Sequence, residues 1–120
     1  MDTRKLIVAT AIGLAAQLAM VIAGHFVPVI KDQGFAIGGV LISLLSGLIY
    51  ARTSRAGWGD ALLGGAIAGG VCALLGIAVS WLMGDTAAMI LLFGTLGSAV
   101  GGAVGGAIGR VLPGSKPAVA

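Results

Sequence analysis

Six side chains in this 120-residue chain have types and positions that could do chemistry: Gln17, His25, Arg55, Ser80, Asp85 and Arg110. His25 is the single histidine. Histidine ionises near neutral pH, so His25 in reach of Asp85 could relay a proton or sense pH. Ser80, His25 and Asp85 also supply the residue types of a nucleophilic triad, but no nucleophile-elbow pattern accompanies them. Gln17 sits inside a long apolar run. A polar group there faces a bundle interior, for an interhelical hydrogen bond or for contact with a solute or ion. Cys72 is the only cysteine, so no intramolecular disulfide can form, and it reads as a small packing residue. One histidine cannot build a bis-histidine haem site. Metal-ligand clusters and Gly-Lys-Ser phosphate loops are absent from the sequence. No catalytic residue, cofactor or metal is therefore expected.

The elements that must position these residues follow from the eleven charged side chains. Uncharged stretches run over residues 6–30, 33–51, 61–84 and 86–109, that is 25, 19, 24 and 24 residues. A helix needs about 20 apolar residues to cross a hydrocarbon core of ~30 Å. No alternation of polar and apolar residues marks lipid-exposed strands. The reading is an all-α integral membrane protein with transmembrane helices at about 6–28, 34–52, 60–83 and 86–110. Composition agrees: 58% of residues are hydrophobic and 9% charged, with a mean hydropathy of +1.12. A soluble domain carries ~25% charge, so soluble globular, disordered and nucleic-acid-wrapping classes are excluded. No basic stripe with interleaved aromatics is present, and the expected partner is the bilayer, not nucleic acid. The apolar run of the first span exceeds the ~7–15 residues of a signal-peptide core, so it is taken as a membrane span.

Positive charge sets the orientation. Arg4, Lys5, Arg52, Arg55, Arg110 and Lys116 fall on one side, and only Lys31 on the other. Both termini are expected in the cytoplasm, with the chain in the plasma membrane, as in a bacterial inner membrane. The bias argues against a dual-topology arrangement. Tyr50 and Trp58 are placed at the inner boundary, Phe26 and Trp81 at the outer one. Gln17 then lies about 17 Å in from Leu6 at ~1.5 Å per residue, and His25, Lys31, Asp32 and Asp85 share the outer surface.

Glycine accounts for 22 residues and is ordered along the chain. The second span carries Gly39, Ser43, Gly47 and Ala51, followed by Arg55; the fourth carries Gly94, Ser98, Gly102 and Gly106, followed by Arg110. The two series are one pattern shifted by 55 positions. Ala11-Ile12 matches Ala66-Ile67, and Ile22-Ala23 matches Ile77-Ala78, at the same offset; nine of 45 positions are identical over residues 11–55. The fold is therefore expected to be two tandem helical hairpins, repeat 1 over about 6–55 and repeat 2 over about 61–110. A parallel pseudo-twofold along the membrane normal relates them within a single domain spanning 1–120. At this offset Cys72 is the equivalent of Gln17, and Ser80 of His25.

Lipid tails are as apolar as leucine, so membrane helices associate through close backbone approach at small residues. Gly97, Gly101, Gly105 and Gly109 form a second ridge beside the first on the fourth span. That helix is expected to touch two neighbours: its hairpin partner, and the second helix or another subunit. Asp60 and Asp85 are expected to cap the third and fourth helices. Residues 113–120 read as a flexible tail. Arg55 and Arg110, closing the two stripes, form either a paired anion or lipid-headgroup site or ordinary cytoplasmic anchors.

In size the chain is similar to the small multidrug exporters. Those carry a membrane-embedded glutamate in the first helix. This chain has no Glu at all, and Gln17 could not perform their proton-coupled exchange. It also lacks a recognisable fluoride-channel pattern. The functional expectation is a non-enzymatic membrane protein acting through glycine-rich helix packing, as a homo-oligomer or as an accessory subunit of a larger membrane complex. The alternative is a small transporter or channel whose pathway uses Gln17, His25, Ser80 and Asp85.

Overall fold

The computed structural model describes residues 2–29, 35–55 and 57–112, apart from the side chains of residues 35 and 36. Four helices follow in order: α1 (Thr3–Phe26), α2 (Phe35–Ser54), α3 (Trp58–Leu82) and α4 (Ala88–Val111). Each is long and apolar enough to cross a membrane. The Lys31-Asp32 loop and the 113–120 tail lie outside the described residues.

Local chemistry sets the helix ends. Asp2 caps α1, its carboxylate accepting the Lys5 N–H at 3.1 Å. Pro28 disfavours helical backbone in the residue before it, and Val27 is extended, so α1 stops. At the end of α2, the Ser54 hydroxyl donates to the Tyr50 carbonyl at 2.6 Å and Arg55 turns left-handed at φ +53°. The α3–α4 turn is a Schellman closure. The Gly84 N–H donates to the Trp81 carbonyl and the Asp85 N–H to the Ser80 carbonyl, each at 3.0 Å. Gly84 sits at φ +80°, where a Cβ would be strained.

Two expected caps are corrected. The residue before α3 is Gly57 and the one before α4 is Ala87, and neither makes a side-chain cap. Asp60 instead lies in the first turn of α3, where its charge still complements the helix dipole. Asp85 lies in the turn before α4, where it reaches His25.

The interior is built from small and polar residues. Ala9, Ala51, Ala61, Ala68 and Ala73 are buried among glycines, while Leu41, Leu63, Leu92 and Val100 face outward. In water this inversion would be unstable. In lipid the outward leucines lose nothing, and close packing inside holds the helices. Tyr50, placed at the inner boundary by its position in the sequence, is fully buried between helices, because Gly64 on α3 leaves room for its ring.

The helices do not form a closed ring. α4 packs against α3 and α2, and α1 packs against α3 and α2, but α1 and α4 make no contact among the described residues. A closed twofold exchanging the hairpins would also exchange the α2–α3 and α1–α4 pairs, and only the first of these is made.

Candidate functional site

The glycine stripes are occupied mostly inside the chain. At Gly102 a Cβ would collide with the Gly65 carbonyl of α3, and at Gly47 of α2 it would collide with the Gly102 carbonyl. Gly106 meets the Ala61 carbonyl in the same way. The second ridge of α4 faces α2: Gly105 against the Leu44 carbonyl, Gly109 against the Leu48 carbonyl at 2.6 Å, and Gly101 against Val40 at 3.1 Å. The two ridges thus meet α3 and α2 of the same chain.

Towards the His25 end the pattern changes. A Cβ on Gly97 would meet nothing within 4 Å, and one on Gly39 would find only the Gln17 and Met20 side chains, at 3.8 and 3.9 Å. Gly94 meets the Ile77 side chain, not backbone, at 2.7 Å. These three glycines line a cavity of about 590 Å³. Such a volume lies within the ~300–1,000 Å³ of ordinary ligand pockets. All four helices contribute to its wall, including α1 and α4, which do not pack against each other among the described residues. The wall is mainly apolar, with Met20, Val40, Ile77, Ile90 and Phe93. Its polar members are Gln17, Ser80, Asp85, Thr86 and Ser98.

Gln17 is 2% exposed. Its Nε2 donates to the Gly39 carbonyl at 3.2 Å and to the Ser43 hydroxyl at 3.4 Å, and lies 3.9 Å from Cys72 Sγ. Ser43 passes the link on, donating to the Gly69 carbonyl at 3.1 Å. One buried network therefore joins α1, α2 and α3 beside the cavity. Ser46 adds a second stitch between α2 and α1, donating to the Ala9 carbonyl at 2.9 Å.

At the Asp85 end of the cavity, His25 Nδ1 and Asp85 Oδ2 lie 2.6 Å apart, tying the end of α1 to the α3–α4 turn. Ser80 and Thr86 hydroxyls pair at 2.6 Å. Ser80 is thus bonded to Thr86, and its hydrogen bond does not go to His25, so the triad residue types do not form a Ser–His relay. The structure brings Gln17, Ser80 and Asp85 onto one cavity wall, with His25 bonded to Asp85.

The opposite end is locked differently. Tyr50 Oη donates to Asp60 Oδ1 at 2.8 Å and accepts the Asp2 N–H at 3.1 Å, joining three helices at one hydroxyl. The Arg110 guanidinium lies 5.6 Å from the centroid of the Trp58 ring, a cation–π distance. Arg55 is exposed at the end of α2. Among the described residues, no group of three or more His, Cys, Asp or Glu converges as a metal site.

Sequence reasoning did not single out Thr86, Ser46 or Met20. Thr86 had a signal, its place in the Gly84-Asp85-Thr86 turn. Ser46 and Met20 had none, since their roles depend on which helix lies opposite. Comparison with protein-family models, with curated proteins and with solved structures returns no match.

Proposed function

We propose that this chain is a small polytopic membrane protein of transporter or channel type that takes a small, mostly apolar solute into the cavity between α1 and α4. One observation carries this reading: α4 closes on α3 and α2 by backbone contact at Gly102, Gly105 and Gly106, whereas around Gly39, Gly94 and Gly97 the four helices leave a cavity. The glycine faces that could have recruited a partner are largely occupied within the chain. The orientation belongs to the same proposal. The Arg110 end faces the cytoplasm of a bacterial inner membrane, with both termini there, and the cavity opens towards the outer face.

The tandem-hairpin repeat is also part of the proposal. Its support is that parallel helices meet at positions 55 apart: Gln17 near Cys72, and Gly47 against Gly102. Equivalent residues meet in this way only near a local axis. The missing α1–α4 contact is then the place where the second copy diverged to leave room for a ligand.

The test is photolabelling in liposomes with an apolar aryl diazirine. Saturable labelling concentrated on Ile77, Ile90 and Phe93, and abolished by Gly97→Phe, is the expected result. Uniform, non-saturable labelling of the outward leucines counts against a ligand site.

A second reading has its own observation. Ala11, Ala15 and Ala19 are exposed at every fourth position of α1, a small-residue face that nothing covers among the described residues. Such a face supports a homo-oligomer or an accessory subunit of a larger complex. Mass measurement in mild detergent tests it: a strict monomer without a co-purifying partner removes this reading.

A further inference from the structure

We propose that the cavity selects solutes that donate a hydrogen bond from one end of an apolar body, such as a phenol, alcohol or amide, with Gln17 Oε1 as the acceptor. This rests on the cavity being the ligand site, and it names the chemical class of that ligand.

The orientation of the Gln17 amide is set by its neighbours. A backbone carbonyl can only accept, so the group 3.2 Å from the Gly39 carbonyl must be the amide nitrogen. The same nitrogen serves Ser43 Oγ at 3.4 Å. Both N–H groups therefore have acceptors. Oε1 accepts from no described group, although Gln17 is 98% buried and lines the cavity. Among the described residues, Gln17 Oε1 is not one of the fully buried side-chain atoms without a partner, so this oxygen keeps accessible surface, where a bound donor can take the place of water.

The surroundings define the rest of the ligand. Gln17 lies nine residues before the end of α1 at Phe26, about 13 Å below it at ~1.5 Å per residue. Ala73 and Ser98 lie at similar depth on α3 and α4. Above this level the wall is Met20, Ile77, Ile90 and Phe93, up to Asp85, which is bonded to His25. A donor head at the floor with an apolar body above it matches that order. An ester, ether or plain hydrocarbon of the same shape fills the volume but leaves Oε1 without a donor. A site built around a particular hydrogen bond discriminates against the analogue that lacks it.

The experiment uses the full chain in nanodiscs and three probes of one body: 2-naphthol, 2-methoxynaphthalene and naphthalene. Each competes with the aryl diazirine for the cavity, with concentrations corrected for partition into empty nanodiscs. The expected result is displacement by 2-naphthol at about five- to tenfold lower concentration than by the methyl ether, the gain of one neutral hydrogen bond. Gln17→Met should weaken naphthol alone and bring the two probes together. The comparison in the unmodified chain stands even if Gln17→Met does not fold. Equal displacement by naphthol and the ether overturns this proposal and means that water serves Oε1, while the cavity remains a ligand site. No displacement by any of the three overturns the cavity reading itself.

Discussion

Adding one methyl group to α4 should have opposite effects five residues apart. Gly102 and Gly97 both lie inside α4, so replacing either by alanine removes the same helix-propensity penalty, up to about 1 kcal/mol. Their surroundings differ. At Gly97 the new Cβ meets nothing within 4 Å, so the propensity gain is kept. At Gly102 it collides with the Gly65 carbonyl oxygen, and the next atoms, the Gly65 carbonyl carbon and Gly69 Cα, lie at 3.0 Å. All three belong to the backbone of α3, so no side chain can swing away. Relief requires α3 and α4 to part by an ångström or so. A gap of that size forfeits roughly a quarter to a half of each pair's ~0.1–0.2 kcal/mol. For about thirty atom pairs around the Gly65–Gly69–Gly102–Gly106 junction, the loss is about 2 kcal/mol. That lies within the ~1–3 kcal/mol usual for overpacking. Propensity cancels between the two variants, so Gly102→Ala should be about 2 kcal/mol less stable than Gly97→Ala, roughly 30-fold in the unfolding equilibrium. Reversible unfolding in mixed micelles of rising denaturing-detergent fraction, followed by far-UV circular dichroism, measures the difference. Gly65→Ala, on the facing helix, should resemble Gly102→Ala. Equal midpoints for Gly97→Ala and Gly102→Ala would refute the claim that the α3–α4 interface is a backbone contact.

Tyr50→Phe removes the hydroxyl that joins Asp2, Asp60 and α2, and should cost about 1–2 kcal/mol in the same titration; wild-type stability would show that the knot is unimportant. His25→Ala breaks a partly exposed pair, so it should cost less than about 1 kcal/mol in global stability. It should still raise amide hydrogen exchange in the last turn of α1, and unchanged protection there contradicts its role as a tie. In a Cys72→Ser background, Thr3→Cys should react with an impermeant thiol reagent only from the cytoplasmic side, and Val29→Cys only from the outside. The reverse pattern would overturn the orientation drawn from the basic residues.

The helices were legible because uncharged length and solvent class are properties of a contiguous stretch. Spans of 6–28 and 86–110 differ from α1 and α4 by no more than three residues at either end. The errors lie where a residue's role depends on something distant. Asp60 and Asp85 resemble caps locally, but Tyr50 and His25 claim their carboxylates from other helices. Nothing near Tyr50 in sequence announces its burial, which depends on the slot that Gly64 makes fourteen positions on. Gly97 continues a periodic ridge, yet only the absence of a facing helix reveals that it borders open space.

The sequence by itself therefore determined that the chain forms four long apolar helices, their ends to within about three residues, and how few residues can do chemistry. Each of these depends on local composition and on the ~1.5 Å rise of a helix. Only the tertiary structure decided which small residues are contact and which are wall. A glycine looks the same in sequence whether it faces another backbone or a cavity, and the partner that distinguishes the two cases lies on a different helix. For the same reason the isolated Gln17 became an oriented amide on the cavity wall, with its nitrogen held by Gly39 and Ser43.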